Sequence, residues 1–241
     1  MSREVSLLEG LLPDGVSWAQ ATLPDPSADP AGAQAHTETV EAALFPEERE
    51  HIVNAVTKRR AEFAAVRRCA REALRELGFP PVPILPGDQR EPLWPEGVVG
   101  SMTHCRGYCA AAVARAADVQ VLGIDAELHL PLPEGVLDLI SLDTERARLA
   151  ALAQLPGTGA GPVHWDRVLF SAKESVYKAW FPMTHRWLGF EEADIDLRPD
   201  GTFAVTLLAA VSDAPDAPRG FAGRWAVSGG LTATAVGELV R

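Results

Sequence analysis

Long apolar runs are missing from this chain. No segment approaches the roughly 20 residues that a bilayer-spanning helix needs, and Glu4 and Glu9 interrupt the amino-terminal stretch before any apolar run develops. The expectation is a soluble, unexported, cytoplasmic protein with no membrane partner. Basic residues are the minority, 22 against 33 acids, for a formal net charge of −11. That balance argues against a general nucleic-acid binder, because neutralising phosphates needs a basic surface; any phosphate-rich ligand must meet a locally basic site. Cysteine is scarce as well. Cys69, Cys105 and Cys109 make an odd count without metal-ligand spacing, which suits a reducing compartment and no disulfides. No internal repeat stands out. What is present, 241 residues with 47% hydrophobic content, is enough to bury a substantial core as one domain or two small lobes.

The missing basic surface is concentrated in one place. Residues 58–75, KRRAEFAAVRRCAREALR, hold seven cations against two acids, a local net of +5. At helical spacing Phe63, Val66, Ala70, Ala73, Leu74 and Leu77 form an apolar stripe bordered by Arg60, Arg67 and Arg71. Guanidinium groups held by packing suit phosphate recognition; the alternative is a solvated face whose arginines pair with nearby glutamates. A helix is expected to start at Pro46, break near Asn54 and stop at Gly78 and Pro80.

A second concentration of chemistry lies further on. In the strand VLGIDAE side chains alternate, so Asp125 and Glu127 leave the sheet on one side. Carboxylates that close repel unless a cation sits between them. In the helix WDRVLFSAKESVYKAWF, Val168, Leu169, Ala172, Val176, Ala179 and Trp180 share a core stripe, and Phe170, Glu174, Tyr177, Lys178 and Phe181 share the opposite side. Glu174, with Lys173 and Lys178 beside it, would complete an oxygen site for a hard divalent ion that also holds an anionic ligand.

Around these two centres the pattern is mixed. Residues Val16 to Thr22 suit a strand, and PDPSADPAGAQAH, residues 24–36, reads as a loop. PPVPILPGDQREPLWPEG is proline-dense and irregular. Strands are expected around VGSMTHCRGYCAAAVA, then a turn near Asp118; a helix is expected around Glu145 to Leu152 before a Gly/Pro loop. Further strands follow at ADIDL, TFAVTLL, GRWAVS and LTATAVG, with a hairpin across Gly229-Gly230 and a surface loop at DAPDAPRG. The class is α+β. His104 and Cys105 cannot serve as base and nucleophile for one another, because neighbours on an extended segment point to opposite faces.

VGSMTHCRGY, GIDAE and WDRVLFSAKESVYKAWFP, in this order and spacing, resemble the signature set of 4'-phosphopantetheinyl transferases of the two-lobed, monomeric type. These modify carrier proteins (ACP and PCP) of polyketide, nonribosomal-peptide and fatty-acid synthesis. The resemblance runs from the arginine-rich helix to the end of the chain. It implies two similar α+β lobes with pseudo-twofold symmetry and the ligand in the cleft between; the turn before the metal strand places the lobes at 1–117 and 118–241. It further implies transfer of the phosphopantetheine arm of coenzyme A to a serine of an apo carrier, with release of adenosine 3',5'-bisphosphate. Asp125, Glu127 and Glu174 would hold Mg²⁺, or Mn²⁺ in its place. Lys173 and Lys178 would offset the pyrophosphate charge, and Glu174 would be the base, directly or through a metal-bound water. Arg59, Arg60, Arg67, Thr103 and His104 would meet the 3'-phosphate end. Phe170, Tyr177 and Phe181 would line the channel for the arm. Pro86 and Gln89 stand where relatives often carry lysines, leaving Arg90 as the substitute in that loop.

Two rival readings use some of the same residues. A Mg²⁺-dependent phosphohydrolase would use the carboxylates and lysines with water in place of the carrier serine. A non-catalytic coenzyme A binding module would keep the arginines without needing the carboxylates.

Overall fold

The computed structural model describes residues 6–25, 27–155, 162–208 and 218–240. The chain divides into two compact units, each α+β. One is Asp14–Leu122 together with Val240; the other is Gly123–Leu239 together with the amino-terminal stretch up to Pro13. The division falls at 122/123, inside the strand Val119–Leu128, and the first residues group with the later unit, with Leu7, Leu8 and Leu11 buried.

In the earlier unit, β1 (Ser17–Thr22), β2 (Val98–Cys105) and β3 (Tyr108–Arg115) form an antiparallel sheet in the order β1-β3-β2. The run YCAAAVAR supplies small side chains on β3, so the helix α3 (Thr57–Glu76) lies closely on it. The expected stripe of α3 is buried from Phe63 to Leu74, with Leu77 partly so. The stretch read as a loop at 24–36 is corrected: α1 (Pro30–Ala42) begins inside it. Asp29 caps it by accepting from the Gly32 N–H at 2.9 Å, Pro30 sits at the first helical position, and Ala33, Thr37 and Val40 recur at buried positions. The short α2 (Pro46–Glu50) is separated from α3 by turns at 51–55, the break expected near Asn54.

The later unit has a five-stranded sheet in the order β4-β8-β7-β6-β5, built from β4 (Val119–Leu128), β5 (Ala193–Leu197), β6 (Thr202–Leu207), β7 (Gly220–Ser228) and β8 (Leu231–Leu239). The hairpin between β7 and β8 turns on Gly229 and Gly230, with φ of 59° and 77°. Helices α4 (Val136–Ile140), α5 (Asp143–Leu152) and α6 (Trp165–Thr184) complete it. All six residues expected in the α6 core stripe are buried. The Gly/Pro loop at 156–161 and most of DAPDAPRG lie outside the described residues.

One device occurs once in each unit. Glu48, at the third position of α2 and fully buried, accepts from the Phe45 N–H at 3.0 Å and from the Ile84 N–H at 2.9 Å, and pairs with Arg71 at 2.8 Å. Glu145, at the third position of α5 and 1% exposed, accepts from the Leu142 N–H at 2.8 Å and the Ile195 N–H at 2.8 Å, and pairs with Lys173 at 2.9 Å. In both, a glutamate closes a helix start, holds a later segment by its backbone, and has its charge met by a cation of the unit's 20-residue helix.

Candidate active site

Strand β4 and helix α6 bring the carboxylates together because β4 carries a glycine where the helix crosses it. A Cβ on Gly123 would stand 2.1 Å from the Ser175 carbonyl oxygen and 2.8 Å from the Ala179 nitrogen. Only a residue without a side chain allows that approach. Asp125 and Glu127 follow at alternate positions on β4, and Glu174 lies one residue before Ser175 on α6.

Cations stand on two of these carboxylates. The Lys178 ammonium donates to Asp125 Oδ1 at 2.7 Å, and Arg167 Nη1 donates to Glu127 Oε2 at 3.3 Å. Burial pushes Glu127 up to about 7, Asp125 and Glu174 push it further, and Arg167 and Lys178 pull it back. Glu174 is raised by burial, lowered by Lys178 and raised by Asp125. The three acids therefore sense one another. Among the described residues no three of His, Cys, Asp and Glu stand close enough to hold a metal ion as they are. The donor set is all oxygen, and burial disfavours the ionised forms of Glu127 and Glu174, so the residues fit a hard divalent cation that would favour those forms.

Lys173 is not part of this group. Its ammonium is buried and donates to the Phe190 carbonyl at 2.6 Å, the Ala193 carbonyl at 2.9 Å and Glu145. Burial lowers its pKa while Glu145 raises it. Its expected contact with the pyrophosphate is corrected to a structural ion pair. The signal was available: 100° per residue turns Lys173 away from Glu174 and towards Leu169 and Trp180.

Aromatic groups flank the site. Tyr177 lies 5.2 Å from Trp187 and 5.7 Å from Phe181, ring centre to ring centre, and Phe170 lies 6.3 Å from Phe190. Phe181 is buried, while Trp187 is 71% exposed. Trp187 and Arg167 escaped the sequence reading; a tryptophan in the loop after α6 and an arginine seven residues before Glu174, on the same helical face, were the signals.

In the earlier unit, Arg59 and His104 meet: Arg59 Nη1 is 2.8 Å from His104 Nε2. A guanidinium only donates, so this imidazole nitrogen accepts. Glu62 lies 3.5 Å from the same nitrogen. Thr103 is buried beside it on β2. Arg60 is half-exposed and pairs with Glu41. Arg90 is exposed, at φ 68° in the proline-rich loop. Arg67 departs from expectation. It is 4% exposed, donates to the Ile84 carbonyl at 2.8 Å and the Phe63 carbonyl at 3.3 Å, and packs its guanidinium over the Phe63 ring. Burial lowers its pKa and Glu48 raises it. Its hydrogen bonds hold the loop at Ile84, and the expected phosphate contact is corrected to that role.

Among the described residues no helix is long and apolar enough to cross a membrane. The profile of the 4'-phosphopantetheinyl transferase N-terminal domain matches residues 47–114, and that of the 4'-phosphopantetheinyl transferase superfamily matches residues 121–217. The chain is 56% identical over 196 residues to the 4'-phosphopantetheinyl transferase Svp of Streptomyces mobaraensis, covering 80% of this chain and 78% of that one. It is 49% identical over 214 residues to PptT of Mycobacterium tuberculosis (86% and 92%), and 43% identical over 240 residues to Npt of Nocardia iowensis (95% and 99%), both 4'-phosphopantetheinyl transferases by name. With both profiles and these relatives spanning its two units, the chain belongs to the 4'-phosphopantetheinyl transferase superfamily and is a transferase.

Proposed function

We propose that the protein moves the 4'-phosphopantetheine arm of coenzyme A onto a serine of an apo carrier protein in a Mg²⁺-dependent reaction, as a monomer. Mn²⁺ would substitute. The serine oxygen forms a bond to the phosphorus of the arm, the bond from that phosphorus to the bridging oxygen breaks, and adenosine 3',5'-bisphosphate leaves. The observation that supports this reading best is the coupled group Asp125, Glu127, Glu174 and Lys178: two acids raised by burial and by their neighbours, with a lysine already on the third.

Asp125, Glu127 and Glu174 would hold the divalent ion, which when bound would supply charge neutralisation on the diphosphate oxygens. Lys178, donating now to Asp125, has its remaining ammonium hydrogens for the diphosphate. Glu174, whose pKa burial and Asp125 raise, would take the serine proton. Arg59, with His104, Thr103, Arg60 and Arg90, would hold the 3'-phosphate end, and Phe170, Tyr177 and Trp187 would border the uncharged arm.

Incubation of an apo carrier with coenzyme A and Mg²⁺, followed by mass measurement of the intact carrier, tests the reading. A carrier that gains the mass of the arm supports it. Cleavage of coenzyme A with an unmodified carrier would favour the phosphohydrolase. Metal-independent coenzyme A binding with no turnover would favour the binding module.

A further inference from the structure

The first turn of α6 grips the segment that follows β4 with two adjacent side chains. Asp166 Oδ2 accepts from the Leu132 N–H at 2.7 Å. Arg167 spreads over three acceptors: its Nε donates to the Leu130 carbonyl at 2.9 Å, its Nη2 to the Pro131 carbonyl at 3.2 Å, and its Nη1 to Glu127 Oε2 at 3.3 Å. The Arg167 side chain is 14% exposed and that of Glu127 26%. The same segment is tied down elsewhere, by the His129 N–H to the Gly230 carbonyl at 2.9 Å and by His129 Nδ1 with Thr232 Oγ1 at 2.7 Å.

A carboxylate at the end of a strand, attached by three rotatable bonds, has no fixed orientation of its own. Arg167 supplies one. Its planar fork is anchored on two main-chain carbonyls, so the third arm is fixed in space. A metal ligand oriented this way binds without having to lose its side-chain freedom at that moment, the effect that outer partners have on metal ligands generally. Seven residues, about two helical turns, separate Arg167 from Glu174, and four more lead to Lys178, so one helical face carries all three groups.

We propose that Arg167 is a positioning residue for the divalent-ion site: acting through Glu127, it fixes the orientation of that carboxylate. This rests on the metal-dependent reading given above. The role needs the fork, not the charge alone. Lysine at this position keeps the charge but cannot span two carbonyls and a carboxylate together.

The test uses the full chain and Mn²⁺ as probe, with bound and free ion separated by electron paramagnetic resonance. Arg167→Lys is expected to weaken Mn²⁺ binding about tenfold, and Arg167→Gln by roughly 10- to 100-fold, each with a thermal midpoint within a few degrees of the parent. In a Glu127→Gln background Arg167→Lys should add little further loss, because the group it positions is gone. Parent-like affinity in Arg167→Lys, tighter binding in Arg167→Gln, or an equal loss with and without Glu127 would each overturn the inference. Absence of Mn²⁺ binding by the parent protein would overturn the metal-dependent reading as well, whereas the other outcomes leave that reading standing.

Discussion

Glu127 makes the pH dependence of the site predictable at the scale of one residue. Its folded pKa, about 7, lies above the ordinary glutamate value. At Glu127 the folded protein therefore binds more proton than the unfolded chain between roughly pH 4.5 and 7, and this group's contribution to stability falls as pH rises through that window. In chelator, the thermal midpoint should drop across it, and Glu127→Gln should flatten this component; identical profiles for the two proteins would contradict the shift. Arg59 carries a second prediction. Arg59→Ala should weaken coenzyme A by about tenfold or more while leaving dephospho-coenzyme A little changed, since one charge-assisted hydrogen bond is worth about 1.5–3 kcal/mol. Calorimetric titration of both ligands checks it, and equal losses would place the guanidinium elsewhere.

Helix α6 shows how one element divides its duties around its circumference. One side, from Val168 to Trp180, is core; a second carries Arg167, Glu174 and Lys178; Lys173, between them, closes an ion pair with Glu145. Removing one partner of a buried pair leaves the other charged and desolvated, so Lys173→Ala should destabilise the fold by about 3–5 kcal/mol. Chemical denaturation measures that directly. A loss under about 1 kcal/mol would mean that Glu145 is satisfied by backbone donors alone. At the crossing of β4 and α6, Gly123→Ala should cost about 1–3 kcal/mol through overpacking. It should also slow transfer, because the contact at Ser175 and Ala179 sets the distance between the strand acids and Glu174. An unchanged rate with intact stability would show that the crossing tolerates displacement.

For the whole molecule, legibility followed the range of the interaction. Periodicity reveals the core stripes of α6 and α3, and the Gly229-Gly230 turn reveals the β7–β8 hairpin, since each is decided by neighbours a few residues away. α1 is obscured because Pro, Gly and Asp dominate its start, and only the Asp29 cap and the recurrence of Ala33, Thr37 and Val40 disclose it. The buried glutamates are harder. Glu48 and Glu145 look like ordinary acids of a first turn, and the backbone groups they hold at Ile84 and Ile195 lie 36 and 50 residues away. For the same reason Arg67 and Lys173 read as ligand contacts when their partners are carbonyls and carboxylates brought in by the fold. The carboxylates and Lys178 are legible as a set, while Arg167, the cation resting on Glu127, is not.

The central claim is that acids from β4 and α6 act together on a divalent ion to pass the arm to a carrier. The most direct measurement is the intact mass of an apo carrier after incubation with coenzyme A, with Mg²⁺ or with chelator, for the parent protein and for Glu174→Ala. Removing a general base typically costs about 10²- to 10⁴-fold, so the account predicts rapid mass gain for the parent with Mg²⁺, none in chelator, and a loss of that order for a folded Glu174→Ala. Transfer that persists in chelator, or a Glu174→Ala variant that modifies the carrier at the parent rate, would contradict it.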